Sequence, residues 1–266
     1  MLLIFGFANL PNRELHLTFL DVGQGDAILI ETPSQQKILI DAGPAGAILS
    51  PLAQELSFWE REIDLAILTH PDADHIAGLV ELLKRYKIKR IALTGVQPGS
   101  EWYQEILRQI AEQKIPTTLT RAGMTFDLGD AIQFQIFWPP EILAGKFIGD
   151  ANAASIAGKL IFGKTSAILT GDLDTDSEKI ILQNPPDLAA QILKLGHHGS
   201  KTSSSTEFLN SVHPEFAIVS ASADNSFGHP SPETLARLDS SVKVLETSKL
   251  GSIHFESNGK TWQLEN

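Results

Sequence analysis

The segment Asp64–His75 constrains the fold of this chain more than any other feature. An apolar run of strand length ends at Thr69 and is followed within six positions by four side chains that commonly bind metals: His70, Asp72, Asp74 and His75. A helical apolar stripe follows, made of Ile76, Leu79, Val80 and Leu83. The segment predicts a strand, a ligand-rich turn and a core-facing helix. A helix N-cap at Asp74 would explain one carboxylate but neither histidine.

The composition of the 266 residues excludes several classes of protein. Hydrophobic residues make up 42% and charged residues 20%, which is typical of a globular chain and not of a disordered one. Cysteine is absent, so disulfide scaffolds, thiolate zinc fingers and thiol nucleophiles are excluded. The formal charge of −11 argues against a passive nucleic-acid coat, but not against an enzyme that meets phosphate through divalent cations.

Short apolar runs alternate with amphipathic segments from Leu15 onward. The predicted strands are 15–20, 26–32, 37–41, 64–69, 90–94, 131–138, 154–162, 165–171, 191–196, 215–220, 242–246, 251–256 and 260–264. The predicted helices are 46–57, 75–86, 102–114, 175–184, 205–212 and 231–239. Two series of strands, each followed by helices, predict one α/β domain with two sheets packed face to face and helices outside.

Residues 1–13 differ from the rest of the chain. Met1–Ala8 is apolar but has neither the basic start nor the cleavage site of a signal peptide. We expect residues 1–13 to be an apolar leader or the stub of a transmembrane segment, and residues 14–266 to form the folded domain. No apolar run reaches the ~20 residues that span a bilayer.

Further ligand-type side chains follow the ends of predicted strands, where the sites of α/β proteins collect. They are Asp41, Asp172, His197, His198 and His229. Five of the eight histidines thus lie in motif positions, which favours a metal site. We expect ordinary surface or edge histidines, without ligand-like neighbours, at His16, His213 and His254.

The order of the motifs resembles the C-terminal domain of the ComEC family, competence proteins that bring transforming DNA through bacterial membranes. The motifs are DVGQGD (21–26), LIDAG (39–43), THPDADH (69–75), Asn152 to Ser155, TGD (170–172), LKLGHHGS (193–200) and FGHP (227–230). The resemblance runs from about Glu14 to about Lys260 and implies a metallo-β-lactamase-like four-layer αββα sandwich. It also implies a piece of a larger membrane protein on the extracytoplasmic face, soluble if expressed alone.

The resemblance further implies a centre with two divalent metal ions. The implied ligands are His70, Asp72, Asp74, His75, Asp172 and His229, with Asp172 bridging the ions. Catalytic roles are implied for His197, His198 and Asp74, although a ligand role for either of the two adjacent histidines stays open. Residues that would support the ligands are Asp41, Gln24, Asp26 and Asn152. Asn152 stands near the place of a further metal-binding histidine in many family members.

The donor atoms favour hard ions. Asp72 replaces a histidine of the usual motif, and no histidine lies between residues 76 and 196, so the first site offers mostly oxygen. Oxygen ligands favour Mn²⁺ or Mg²⁺ over Zn²⁺, and Mn²⁺ is expected here.

The function implied is a metal-dependent phosphodiester hydrolase, by resemblance a DNA nuclease that degrades the strand that is not imported. Substrate contacts are expected from Lys194, Gly199, Ser200 and Lys201. The implied partners are single-stranded DNA and a hydrophobic membrane-channel domain of the same or another chain; the oligomeric state stays open. Two alternatives remain: a phosphodiesterase for a small ester such as phosphorylcholine, which the net acidity favours, and a non-catalytic binding module. The basic cluster Lys84–Arg90 either meets substrate or only complements a helix C-terminus.

Overall fold

The computed structural model describes residues 14–97 and 99–265. The predicted leader, residues 1–13, lies outside this described part of the chain. None of the helices in the described ranges combines the length and the apolar character needed to cross a bilayer.

The described residues form 17 strands and seven α-helices. The strands are β1 (Leu15–Phe19), β2 (Ile28–Glu31), β3 (Lys37–Ile40), β4 (Glu62–Ile63), β5 (Leu65–Ile67), β6 (Lys87–Ile88), β7 (Ile91–Leu93), β8 (Thr117–Leu119), β9 (Thr125–Asp127), β10 (Ile132–Trp138), β11 (Ala157–Phe162), β12 (Thr165–Leu169), β13 (Ile192–Lys194), β14 (Phe216–Val219), β15 (Lys243–Glu246), β16 (Ile253–Ser257) and β17 (Trp262–Glu265). The helices are α1 (Leu49–Glu55), α2 (Ala73–Arg85), α3 (Glu101–Gln113), α4 (Thr175–Gln183), α5 (Thr206–Val212), α6 (Pro232–Ala236) and α7 (Thr247–Leu250). Short 3-10 turns lie at Ala151–Ala154 and Gly196–Gly199.

The strands form two large sheets. The first has the order β17-β16-β1-β2-β3-β5-β7-β8 and the second the order β15-β14-β13-β12-β11-β10-β9. A small third sheet pairs β4 with β6. Within each large sheet, the strands that follow α/β crossovers are parallel: β3 with β5 and β7, and β12 with β13 and β14.

The central strands β2, β3 and β5 of the first sheet carry apolar residues on both faces because each face is covered there. In β2, Ile28 and Ile30 face the second sheet, whereas Leu29 belongs to the core under the helices α1, α2 and α3. A third core packs α4 and α5 against the far side of the second sheet, through Phe208 and Leu209 among others. Strands buried on both faces read as continuous apolar runs, as these do. The predicted four-layer αββα sandwich is confirmed.

The edges of the sheets differ from the prediction. Strands β8 and β9 were not predicted because their exposed and half-buried residues lack an apolar pattern, as the threonine-rich segment Thr117–Leu119 shows. Strands β4 and β6 have two residues each, too few for a periodic signal. The predicted helix 46–57 is shorter, Leu49–Glu55.

The topology brings the motif residues to one edge of the sandwich. Asp41 follows β3, His70 follows β5, Asp172 comes shortly after β12, and the pair of histidines at 197 and 198 follows β13. Because parallel strands end at the same edge of a sheet, side chains distant in sequence converge there.

Candidate metal centre

Four buried side chains meet at this edge. They are Asp26, His75, Asp172 and His198, none more than 3% exposed, and we call them the inner cluster. The Nε2 atom of His75 lies 3.3 Å from Nε2 of His198 and 3.2 Å from Oδ1 of Asp172. Nε2 of His198 lies 3.4 Å from Oδ2 of Asp172. Two imidazoles and a carboxylate therefore face one another away from solvent.

The other ring nitrogen of each inner histidine is held by an acceptor. Nδ1 of His75 lies 2.8 Å from Oδ2 of Asp41, and Nδ1 of His198 lies 2.8 Å from the carbonyl oxygen of Ser220. Since both partners accept, each Nδ1 carries the hydrogen and each Nε2 turns a lone pair toward the cluster. Two lone pairs 3.3 Å apart repel each other unless a proton or a metal ion lies near both. This orientation of imidazoles is the one that metal-binding histidines adopt.

The carboxylates around the inner cluster stabilise positive charge on its two imidazoles. Burial opposes the charged imidazolium of His198, but Asp172 and Asp26 raise its pKa to about 9. Burial likewise opposes a charged His75, yet Asp172 and Asp41 raise its pKa well above the usual value. A divalent cation would supply the same positive charge at the same nitrogens.

His70 and Asp72 form a second group, which we call the outer pair. Nε2 of His70 lies 3.6 Å from Oδ2 of Asp72 and 3.9 Å from Oδ2 of Asp172. Its Nδ1 lies 3.0 Å from Oγ1 of Thr69, which donates its own hydrogen to Asp41 and therefore accepts from His70. Nε2 of His70 is buried and has no hydrogen-bond partner among the described residues. Its lone pair is thus available to a metal ion beside Asp172.

The remaining two predicted ligands lie at the border of the inner cluster. Oδ2 of Asp74 is 3.2 Å from Nε2 of His198. The ring centroid of His229 is 6.4 Å from that of His198, and its buried Nδ1 has no hydrogen-bond partner in the described part of the chain. Burial and the neighbouring His197 and His198 lower the pKa of His229 to about 4, so its imidazole is neutral near pH 7. The donor set therefore fits divalent metal ions, with Asp172 in contact with both groups.

The structure separates the roles of the two adjacent histidines. Both have left-handed backbone, with φ of 49° at His197 and 55° at His198, which residues other than glycine seldom adopt and which is typical of functional sites. His198 is buried with both ring nitrogens facing partners. The side chain of His197 is 29% exposed, with Nε2 3.8 Å from Oδ2 of Asp172, and burial lowers its pKa. The geometry groups His198 with the ligands and leaves His197 within reach of a substrate.

Lys194 does not contact substrate, and that prediction is wrong. The residue is 0% exposed, and its Nζ lies 2.5 Å from Oδ2 of Asp26 and 3.6 Å from Oδ1 of Asp172. Burial opposes the ammonium, but these two carboxylates raise the pKa of Lys194. Burial would raise the pKa of Asp26, yet Lys194 and the neighbouring histidines lower it. The lysine balances the carboxylates from inside the protein.

Two further predicted substrate contacts are also internal. A Cβ atom on Gly199 would lie 2.8 Å from Cβ of Pro230, so this glycine permits close packing. Ser200 is 5% exposed, and its hydroxyl lies 3.0 Å from Oγ1 of Thr202. These contacts fit a tight turn, and the roles of Gly199 and Ser200 at a phosphate stay predictions. Lys201 is exposed, and its role stays a prediction.

The predicted supporting residues lie around the clusters to different degrees. Asp41 braces both groups, since it accepts from Thr69 and His75. Gln24 accepts through Oε1 from the backbone N–H of Ser222 at 3.4 Å, and no contact joins it to the clusters among the described residues. Asn152 lies in the 3-10 turn, and its buried Oδ1 has no donor there. That oxygen can accept a hydrogen bond. Its residue stands near the sequence position where the resemblance implies a further metal-binding histidine in many family members.

The basic cluster after α2 is paired with carboxylates. Lys84 lies 2.8 Å from Glu81, and Lys89 lies 2.8 Å from Asp64. The thirteen-residue helix that starts at the site separates the cluster Lys84–Arg90 from it by about 20 Å. These contacts favour the helix C-terminus interpretation over a substrate contact.

His16 has acidic partners that its neighbours in the sequence do not indicate. Cross-strand pairing with β16 brings Glu256 within 3.0 Å of its Nδ1, and Glu265 is close to both. His254 similarly lies 3.0 Å from Glu55. Both partners are distant in sequence, and the side chains of His16 and His254 are 33% and 35% exposed, as expected of edge histidines.

Known proteins have sequences similar to that of this chain. The sequence pattern of the metallo-beta-lactamase superfamily matches residues 20–222. ComE operon protein 3 of Bacillus subtilis is 30% identical, over 96% of this chain and 34% of that protein, and competence protein ComA of Neisseria gonorrhoeae is 31% identical, over 96% and 35%. Exodeoxyribonuclease WalJ of Streptococcus pneumoniae is 34% identical over 62 residues, 23% of each chain. The chain spans about a third of the length of the first two relatives.

Solved structures share the fold. The metallo-beta-lactamase fold protein YhfI from Bacillus subtilis superposes with a TM-score of 0.61 at 13% identity, covering 92% of this chain and 100% of that one. The likeness concerns the fold alone. Together with the sequence matches, it confirms the resemblance to the ComEC domain and the expected class, a metal-dependent hydrolase.

Proposed function

Because this chain belongs to the metallo-beta-lactamase superfamily, we propose that it is a phosphodiester hydrolase that uses two divalent cations and cuts single-stranded DNA during DNA uptake. One observation carries the proposal: Asp172, a member of the inner cluster, also lies beside His70 of the outer pair, and the Nε2 atoms of His70, His75 and His198 all face its carboxylate. The names of two relatives, a competence protein and an exodeoxyribonuclease, support DNA as the substrate.

We assign the ligands of the two ions as follows. His75, His198 and Asp74 would hold one ion, and His70 and Asp72 the other, with Asp172 shared. Divalent cations bound there supply charge that stabilises phosphoryl oxygens and lowers the pKa of water. The carboxylate oxygens of the outer pair favour Mn²⁺ over Zn²⁺ at that position.

The protein's own groups then do three things. Asp41 and Ser220 keep the imidazoles oriented, and Lys194 offsets the buried carboxylates. His197, neutral near pH 7 and partly exposed, can accept a proton or donate an N–H to a phosphoryl oxygen. The braced, buried ligand set argues against a non-catalytic module, since building it costs the burial of several charges.

The setting of this activity is also a proposal. The first two relatives are about three times as long as this chain. We place the domain in a membrane-associated protein, on the extracytoplasmic face and beside a hydrophobic channel domain, where it would degrade the strand that is not imported.

The test is incubation of purified protein with end-labelled single-stranded DNA, with Mn²⁺, with Mg²⁺, with Zn²⁺ or with EDTA. We expect cleavage that requires the metal, is fastest with Mn²⁺ and is lost in Asp172→Asn. The matched control is Asp176→Asn, the same chemical change at a side chain that is 85% exposed on α4. Bound metal without any cleavage of DNA would overturn the proposal and favour a small phosphodiester as substrate.

A further inference from the structure

Two exposed aromatic rings lie next to residues predicted to bind metal. Phe147 is 80% exposed and Phe227 is 69% exposed. The ring of Phe227 stacks on that of His229, with centroids 5.8 Å apart and planes at 24°. Phe147 lines a groove of about 290 Å³ whose wall includes Pro71 and Asp72. Phe147 therefore adjoins Asp72, and Phe227 adjoins His229.

The loop that carries Phe147 is fixed on both sides of this residue. The carbonyl oxygen of Lys146 accepts from the backbone N–H of Gln97 at 2.9 Å, and the N–H of Gly145 donates to Gly95 at 2.8 Å. Ile148 packs against the core under the first sheet. The backbone thus holds the ring at the groove, although exposing an apolar side chain of this size is unfavourable.

The groove is suited to a flat, uncharged group. Among the described residues that line it, none is Lys or Arg, and Asp72 carries the only charge. Gln97 and Ser100 add polar groups to a wall that is otherwise apolar or glycine. A phosphate would find no cation here, whereas a base offers a π-face for the ring and polar edges for hydrogen bonds.

From this arrangement we propose that the groove beside Asp72 binds a nucleobase of the strand being cut, stacked on Phe147, and that Phe227 beside His229 stacks a second base. The inference rests on the proposed function and defines its substrate as single-stranded, because paired bases do not present their faces. It also explains how a chain with a net charge of −11 binds a polyanion: the bases and the metal ions carry the recognition.

A quaternary ammonium such as choline is the competing occupant, since an aromatic ring and a carboxylate also attract cations. Sites for such ligands surround the cation with several rings. Phe147 is the single aromatic residue among the described residues lining the groove. The second exposed ring, Phe227, stacks on His229 and is not among the described residues that line this groove, which fits successive bases of one strand better than one enclosed cation.

The experiment compares normal and abasic single-stranded oligonucleotides of equal length, which share phosphates but not bases. We expect the wild-type holoenzyme to show a higher kcat/KM on the normal strand. Phe147→Ala and Phe147→Leu should lose about 5- to 150-fold on the normal strand and little on the abasic one, and Phe147→Trp should retain the preference. The matched control is Phe58→Ala, at an 83% exposed ring on the loop after α1. That variant should behave like the wild type.

Binding of the labelled normal strand with Ca²⁺ in place of Mn²⁺, a cation that can hold phosphate without supporting cleavage, followed by fluorescence anisotropy, separates the two proposals. Weaker binding by Phe147→Ala than by Phe58→Ala would support the base subsite even if no DNA were cut. Equal kcat/KM on normal and abasic strands, with cleavage intact, would overturn the inference and leave the nuclease standing. Displacement of the strand by choline chloride that depends on Phe147 would also overturn it, in favour of a quaternary ammonium site.

Discussion

The inner cluster and the outer pair use the same residue types but are held very differently. Both inner histidines have Nδ1 fixed on an acceptor, and the inner carboxylates contact the buried ammonium of Lys194. In the outer pair, His70 is anchored through Thr69, but the side chain of Asp72 is 47% exposed and has no hydrogen bond among the described residues. Ligands that are already oriented lose little freedom when they bind an ion. The inner position should therefore fill first and more tightly.

The largest expected effect comes from replacing Lys194, whose ammonium offsets the buried carboxylates of the inner cluster. Lys194→Met leaves the carboxylate of Asp26 buried without its cation, which should lower the free energy of unfolding by about 3–5 kcal/mol. Urea unfolding followed by circular dichroism measures the change. The double variant Lys194→Met/Asp26→Asn should recover much of it, because no unpaired charge remains. Equal stability of the wild type and the single variant would mean that the lysine does not balance this charge.

The shared carboxylate should matter most for turnover. Asp172→Asn keeps the shape of the side chain but removes the charge that faces both groups, so we expect both ions to be lost and the rate of DNA cleavage to fall by on the order of 10²–10³-fold. Metal counting by mass spectrometry accompanies the rate measurement. Retention of two ions with full activity would place the metal centre elsewhere.

The third prediction compares metal affinity at the inner cluster with metal affinity at the outer pair. Asp41→Asn weakens the hold on His75, and loss of such a supporting partner costs about 10–100-fold in metal affinity. Asn tolerates the left-handed backbone at this position, where φ is 58°. Asp72→Asn should instead abolish binding only of the ion at the outer pair, which is the more weakly bound of the two. Calorimetric titration with Mn²⁺ resolves the two cases, and identical isotherms for both variants would refute the distinction between the regions.

The last prediction is a pH dependence of the inner position. Because Asp172 and Asp26 raise the pKa of His198 to about 9 against burial, His198 is protonated below that pH when no metal is bound. A metal ion needs the Nε2 lone pair and must displace this proton. His75, which would hold the same ion, also has a raised pKa, so the apparent affinity for Mn²⁺ should rise by up to a hundredfold per pH unit from pH 7 and less steeply above pH 9. An affinity that does not change over this interval would contradict the ligand role of His198.

The sequence predicted most of the fold where both faces of a strand are buried, because burial leaves a continuous apolar run such as Ile28–Ile30. It failed at sheet edges such as β8, where solvent exposure removes the pattern. The ligand-rich turn was found from its spacing alone, since His70 and Asp72 are close in sequence as well as in space.

The errors at the site share one cause, partners that are remote in sequence. Lys194 looked like a phosphate contact because its partner Asp26 belongs to the first motif of the chain. The inward turn of His198 depends on Ser220, which follows a different strand. No local pattern encodes either contact. The groove at Phe147 likewise arises only when two loops meet.

Anomalous X-ray diffraction at the manganese absorption edge, from crystals soaked in limiting Mn²⁺, tests the central claim most directly. We predict one anomalous peak among His75, His198 and Asp172 at low Mn²⁺, and a second beside His70 and Asp72 only at higher concentration. A first peak at the outer pair would contradict the prediction that the inner position binds its ion first and more tightly. No peak next to Asp172 at any concentration would contradict the metal centre itself.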